Sequence, residues 1–152
     1  MLGTNDLKIE YSRTVAEIAV SIKRLVADVR NHSSNDNSEV PKIILINPLL
    51  IDGIAARFTE FYSGYYDNRS MQESMKLAAV IKAVAQGYDC LFLDTAGVAH
   101  SGEDGIHFSQ DSSEPPAGLI TNTVKEISNR RADNREARVK RPNCSYRVSR
   151  SK

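Results

Sequence analysis

The sequence predicts an α/β fold with a parallel sheet, and three observations predict it. Two amphipathic helical patterns are separated by short continuous apolar runs, each run ends in a polar or glycine-bearing loop, and a third helical pattern follows the last of them. Such alternation argues for parallel strands joined by right-handed crossovers, with the loops at the C-terminal strand ends opening on a shared site. At 152 residues and 41% hydrophobic content, the chain is of single-domain size.

Met1-Leu2-Gly3-Thr4-Asn5-Asp6 starts apolar and stops in a polar turn, as a parallel strand does at its C-terminal end. Thr14-Val15-Ala16-Glu17 has capping-box spacing, and Val15, Ile18, Ala19, Ile22, Leu25, Val26 and Val29 then recur on one helical face. The Asn/Ser-rich run from Asn31 to Ser38 is expected to end this helix as a loop. Lys42 to Asn47, followed by Pro48, is a β-branched run that suits a strand buried on both faces. Residues 49 to 67 collect Phe58, Phe61, Tyr62, Tyr65 and Tyr66, which suit either the wall of an acyl pocket or a short packing helix with a turn, the second being the plainer account.

Ser70-Met71-Gln72-Glu73 repeats the capping-box spacing and opens a second amphipathic helix, closed at Gly87, with Met71 and Met75 as core filler. Cys90 to Asp94 forms the next buried strand, whose end leads through residues 95 to 102 toward Asp104. Ser112 or Ser113 can cap a third helix that accepts Pro115 and Pro116 in its first turn, with Ile120, Val124 and Ile127 on its apolar face. Beyond it apolar periodicity is lost. Residues 1–128 are therefore expected to form the folded domain and 129–152 a disordered basic tail.

The residues with chemistry are few. Asp104 stands three positions before His107 on a loop opened by Gly102 and Gly105, a spacing that lets a carboxylate orient and charge an imidazole that moves protons. Asn5, in its turn, can donate a side-chain amide to a developing oxyanion. His100 has no partner spacing and is expected to be a loop histidine, while His32 suits a helix end, where it interacts with the dipole. Ser63, Ser70 and Ser101 lack the strand-to-helix elbow that would expose and activate a hydroxyl, and Ser109, two residues from His107 on the same loop, cannot easily face it.

Gly3-Thr4-Asn5-Asp6 and Asp104-Gly105-Ile106-His107-Phe108 together resemble two sequence blocks of the SGNH (GDSL-type) hydrolases, with wording most similar to the arylesterase and acyltransferase branch. The resemblance covers roughly residues 1 to 128. It implies a flavodoxin-like, three-layer α/β/α fold with a parallel sheet, here incomplete because the first strands are missing. It also implies a Ser-His-Asp esterase acting on carboxylic esters, with Asp104 and His107 catalytic and Asn5 in the oxyanion hole. Gly3 would permit close backbone approach, and Asp6 would fix the turn through backbone hydrogen bonds. The family's nucleophilic Ser belongs to a Gly-Asp-Ser block that precedes these two, and no such block occurs in this sequence. The expectation is an esterase domain without its N-terminal third and impaired for that reason.

Charge and composition bound the alternatives. Residues 130 to 152 carry nine Lys or Arg and two acids, a net of +7, which leaves −6 for residues 1 to 129 against a total of +1. The competing reading, a non-catalytic fragment or interaction protein whose basic tail binds nucleic acid or an acidic partner, rests on that run; under the esterase reading nucleic acid is not the expected partner. Cys90 and Cys144 have neither disulfide nor metal-ligand spacing, so free thiols and no cofactor or metal are expected. No segment approaches the roughly 20 apolar residues of a membrane helix. The expectation is a cytoplasmic protein acting on a small-molecule ester, with homo-oligomers common in the family.

Overall fold

Thr14 and Glu17 close the first turn of helix α1 (Val15–Asn35). The Thr14 backbone amide donates to Glu17 Oε2 at 2.8 Å and the Glu17 amide to Thr14 Oγ1 at 3.3 Å, the reciprocal pairing that the spacing predicts. In the computed structural model, which describes residues 3–35 and 40–139, α1 buries Ile18, Ala19, Ile22 and Val26 along one stripe. The helix does not stop at Asn31 as expected but runs to Asn35. Polar residues there stay compatible with helix, and Ser33 Oγ turns back to the Val29 carbonyl at 3.0 Å.

Two strands follow the predicted apolar runs. β1 (Ile44–Asn47) and β2 (Leu91–Asp94) pair in parallel, with Ile44 opposite Leu91 and Asn47 opposite Asp94. Each is shorter than its run. The expectation of burial on both faces is corrected: along β1 only Asn47 is fully buried, and Leu91 of β2 is 37% exposed. Among the described residues the sheet has these two strands, so neither run is flanked on both sides.

Between the strands lie α2 (Phe58–Tyr62) and α3 (Asn68–Gly87). The N-cap of α3 is Asp67 rather than Ser70. Asp67 Oδ1 accepts from the Ser70 amide at 2.8 Å and the Ser70 hydroxyl accepts from the Asp67 amide at 3.3 Å. Ser70 thus serves as the third helical residue of its own capping box, and its hydroxyl also donates to the Leu7 carbonyl at 2.7 Å, tying the N-terminal turn to α3. Leu77, Ile81 and Val84 of α3 meet the α1 stripe and Leu7 in the core. Met71 is half-buried against that core, whereas Met75 is 66% exposed and fills nothing.

The chain divides into two units after Ile120. The first holds everything above and the opening of α4 (Glu114–Val139), which takes Pro115 and Pro116 in its first turn as expected. In the second unit, from Thr121, α4 continues past the expected start of the tail at 129 and ends at Val139. From 129 onward the helix lacks an apolar stripe but is rich in Ala, Arg and Glu, which favour helix through local propensity. The remainder of the expected tail, with Cys144, lies outside the described residues, as do Met1 and Leu2 of the N-terminal apolar start.

Candidate active site

The loop after β2 folds back on itself before it presents any chemistry. Ser101 and Phe108 form an antiparallel bridge, the Gly102 amide donates to the His107 carbonyl at 2.7 Å, and the Gly105 amide donates to the Gly102 carbonyl at 2.9 Å. This small closed loop is clipped to the segment before α2: the Asp52 amide donates to the Gly105 carbonyl at 2.9 Å and the Arg57 amide to the Glu103 carbonyl at 2.8 Å. Gly105 sits at φ +76, and a Cβ on it would collide with the Asp52 carbonyl oxygen and the Phe58 ring. Only glycine meets both conditions.

Within this frame the Asp104 carboxylate is used twice. Oδ1 accepts from the Ile106 and His107 backbone amides, each at 3.0 Å, and Oδ2 lies 2.6 Å from His107 Nδ1. Burial would push the Asp104 carboxyl up, but the bonds from the His107 ring and the two amides outweigh it and hold the group below its ordinary value. An ionised Asp104 fixes the proton on Nδ1, leaving Nε2 as the basic nitrogen. The His107 side chain is 73% exposed and that of Asp104 25% exposed, so the imidazole projects outward from an anchored carboxylate. Both line an open cleft of about 570 Å³ with Arg57, Phe61, Phe108 and Asp111 among its other walls. Arg57 is tied to Glu60 by two bonds of 2.9 Å and lies over the Phe61 ring.

The N-terminal turn is built on Gly3, whose φ of +122 is a conformation that favours glycine. Asn5 opens a 3-10 turn, Asn5–Leu7, and stands exposed, with its Oδ1 3.5 Å from the Tyr66 hydroxyl. Asp6 departs from its expected place: its carboxylate faces Arg13 at 3.6 Å in an exposed ion pair, and among the described residues no backbone amide bonds to it. Asp104 and His107 are thus brought together, whereas Asn5 is joined to them through aromatic rings rather than by direct contact.

Those rings belong to the aromatic stretch that suited either a pocket wall or a packing helix. Phe58, Tyr62 and Tyr66, spaced by four, form a cluster with Tyr62 in the middle, 5.9 Å from Phe58 and 5.8 Å from Tyr66 between ring centroids. The Tyr62 hydroxyl lies 3.4 Å from His107 Nδ1, and its ring 6.5 Å from the imidazole. The spacing of four was the available signal. His100 is exposed, and its backbone carbonyl accepts from the Ser112 hydroxyl at 2.8 Å. Among the described residues no serine hydroxyl bonds to His107, and no three metal-ligating side chains converge.

No protein-family model and no curated protein sequence matches the chain. Solved structures do. The carbohydrate acetylesterase Est24 from Sinorhizobium meliloti superposes with a TM-score of 0.68 at 27% identity, over 84% of this chain and 59% of that one. The native aryl esterase of M. smegmatis gives 0.68 at 28% identity over 83% and 58%, and its inhibitor-bound form 0.72 at 26% over 83% and 58%. The chain has the fold of the SGNH-type esterases. The likeness drawn from the two motifs therefore extends to the backbone around them: α3 packs on both parallel strands and α1 packs on α3, which is consistent with an incomplete α/β/α fold. The chain spans about 58% of the length of the M. smegmatis structures it matches. No helix among the described residues is long and apolar enough to cross a membrane.

Proposed function

We propose that this chain carries the acid-base half of an ester-hydrolysing site, acting on carboxylic esters through a Ser-His-Asp mechanism. The observation that carries the proposal is the 2.6 Å contact between Asp104 Oδ2 and His107 Nδ1 on a loop whose backbone is closed on both sides. In the proposed reaction His107 Nε2 takes the proton of a serine hydroxyl as that oxygen attacks the ester carbonyl, then returns it to the departing alkoxide. Asp104 holds the tautomer and stabilises the imidazolium. Asn5 Nδ2 donates to the tetrahedral oxyanion, where a single donor is worth about 2.7–4 kcal/mol. Water or another alcohol resolves the acyl-enzyme.

The serine is taken to come from a separate segment, since none of the described serines reaches the imidazole. The structural neighbours, a carbohydrate acetylesterase and an aryl esterase, support this chemistry, with acetyl and aryl esters as the first substrates to try. The test is p-nitrophenyl acetate hydrolysis by the chain alone and mixed with a peptide segment bearing a Gly-Asp-Ser block. Hydrolysis that appears on mixing is the expected result. A folded chain, by circular dichroism, that remains silent with every such segment contradicts the proposal. The alternative role for the basic residues beyond 129, binding an acidic partner, has only a charge run behind it and is not proposed.

A further inference from the structure

Asn5 and His107 lie in blocks a hundred residues apart, and what physically connects them is a pair of tyrosines. We propose that Tyr66 and Tyr62 are positioning residues of the site, Tyr66 fixing which end of the Asn5 amide faces outward and Tyr62 confining the His107 ring against Asp104. The purpose of this arrangement rests on the esterase reading; its geometry does not.

A primary amide has an acceptor end and a donor end, and only the donor end can serve an oxyanion. The Tyr66 hydroxyl meets Asn5 at Oδ1, which leaves Nδ2 and both its protons unassigned. A flipped amide would place an acceptor where negative charge develops. Tyr66 can enforce the choice because it is itself fixed: it is 6% exposed, with Phe58 at 6.4 Å and Tyr62 at 5.8 Å. Burial and the neighbouring Tyr62 push its phenol up to about 12, so it stays an O–H donor throughout the neutral range.

The case for Tyr62 follows from the exposure of His107. An imidazole 73% open to solvent has few walls, and the described contacts on its ring are Asp104 and Tyr62. Nδ1 carries one proton, directed to Asp104 at 2.6 Å; the Tyr62 oxygen at 3.4 Å flanks that bond as a weaker second acceptor. The tyrosine ring blocks one direction of rotation away from the carboxylate. Holding a base within a fraction of an ångström of its working position is what a site on a surface loop otherwise lacks.

The experiment is NMR of the full 152-residue chain labelled with 15N and 13C, unmodified and as Tyr66→Phe and Tyr62→Phe. Tyr66→Phe is expected to move the Asn5 side-chain amide pair and leave the His107 ring nitrogens in place; Tyr62→Phe is expected to do the reverse. Backbone amides of Leu77 and Ile81 serve as the control for a general structural change. Unmoved Asn5 and His107 signals in folded variants would overturn the proposal. Should a variant fail to fold, NOEs in the unmodified chain decide, from the Tyr66 ring to the Asn5 side-chain amide and from the Tyr62 ring to the His107 ring, and their absence overturns it equally. A parallel ester assay of each chain mixed with a Gly-Asp-Ser segment separates the two readings: side-chain shifts without hydrolysis in any mixture keep the positioning and remove the esterase. Hydrolysis in which Tyr66→Phe lowers kcat about tenfold at constant KM, the loss of one weak hydrogen bond's worth of donor alignment, supports both.

Discussion

One carboxylate joins two levels of the structure: Asp104 Oδ1 accepts the Ile106 and His107 backbone amides at 3.0 Å while Asp104 Oδ2 holds His107 Nδ1 at 2.6 Å. The same side chain shapes the loop and orients the base. Asp104→Asn keeps the size and one acceptor, but its amide can present a donor to Nδ1 and so favours the wrong tautomer. In an assay where the chain hydrolyses ester, activity is expected to fall by about 10⁴, with the fold retained by circular dichroism. A loss below tenfold would mean that the carboxylate serves only the loop.

Gly105→Ala tests whether the loop geometry is required. The position has φ +76, and the added methyl would meet the Asp52 carbonyl oxygen, a backbone atom that cannot step aside cheaply. The left-handed conformation alone costs a non-glycine residue about 1–2 kcal/mol, and the collision adds to it. A fall in Tm of several degrees is expected; an unchanged Tm would show that the loop opens without cost to the rest of the unit.

Ser70→Ala probes the anchor of the N-terminal turn. Its hydroxyl donates to the buried Leu7 carbonyl at 2.7 Å and completes the cap of α3. Removing it leaves that carbonyl without its donor, for an expected loss of about 1–3 kcal/mol in denaturant unfolding. The Asn5 turn is expected to loosen with it. No measurable change would mean that a water replaces the hydroxyl.

Two groups set opposite ends of the pH range. Asp104 is held below its ordinary value in the folded state, so its contribution is present above the unfolded carboxylate range near pH 4 and is lost as pH falls through the lower folded value. Tyr66 is raised to about 12 against an ordinary value near 10, so its contribution is complete below about pH 10 and is lost as pH rises toward 12. Absorbance titration at 295 nm should show a late tyrosine step that Tyr66→Phe removes. A step that survives the substitution would place the buried phenol elsewhere.

The sequence was legible where local signals and periodicity agreed. Thr14 and Glu17 marked the start of α1, the stripe from Ile18 to Val26 marked its buried face, and the Asp104–His107 spacing produced the contact it suggested. Boundaries were less legible: Ser70 had the spacing of a cap but Asp67, one turn earlier, took the role, and α1 and α4 ran on through polar residues that do not forbid helix. Met75 had helical periodicity with Met71 but fell on the exposed side of α3. The link from Tyr66 to Asn5 and from Tyr62 to His107 could not be drawn from spacing in one segment, because it depends on how three distant segments meet. Asp6 shows the same limit, since Arg13 captured a carboxylate that local turn chemistry assigned to the backbone.

In the proposed reaction His107 acts as the base of an ester-cleaving site. The most direct measurement is the p-nitrophenyl acetate rate of the chain complemented with a Gly-Asp-Ser segment, compared with the same mixture carrying His107→Ala. A rate that falls to the uncatalysed background in the variant, with unchanged circular dichroism, is what the structure predicts. Hydrolysis that persists in His107→Ala would contradict it and place the chemistry on other residues.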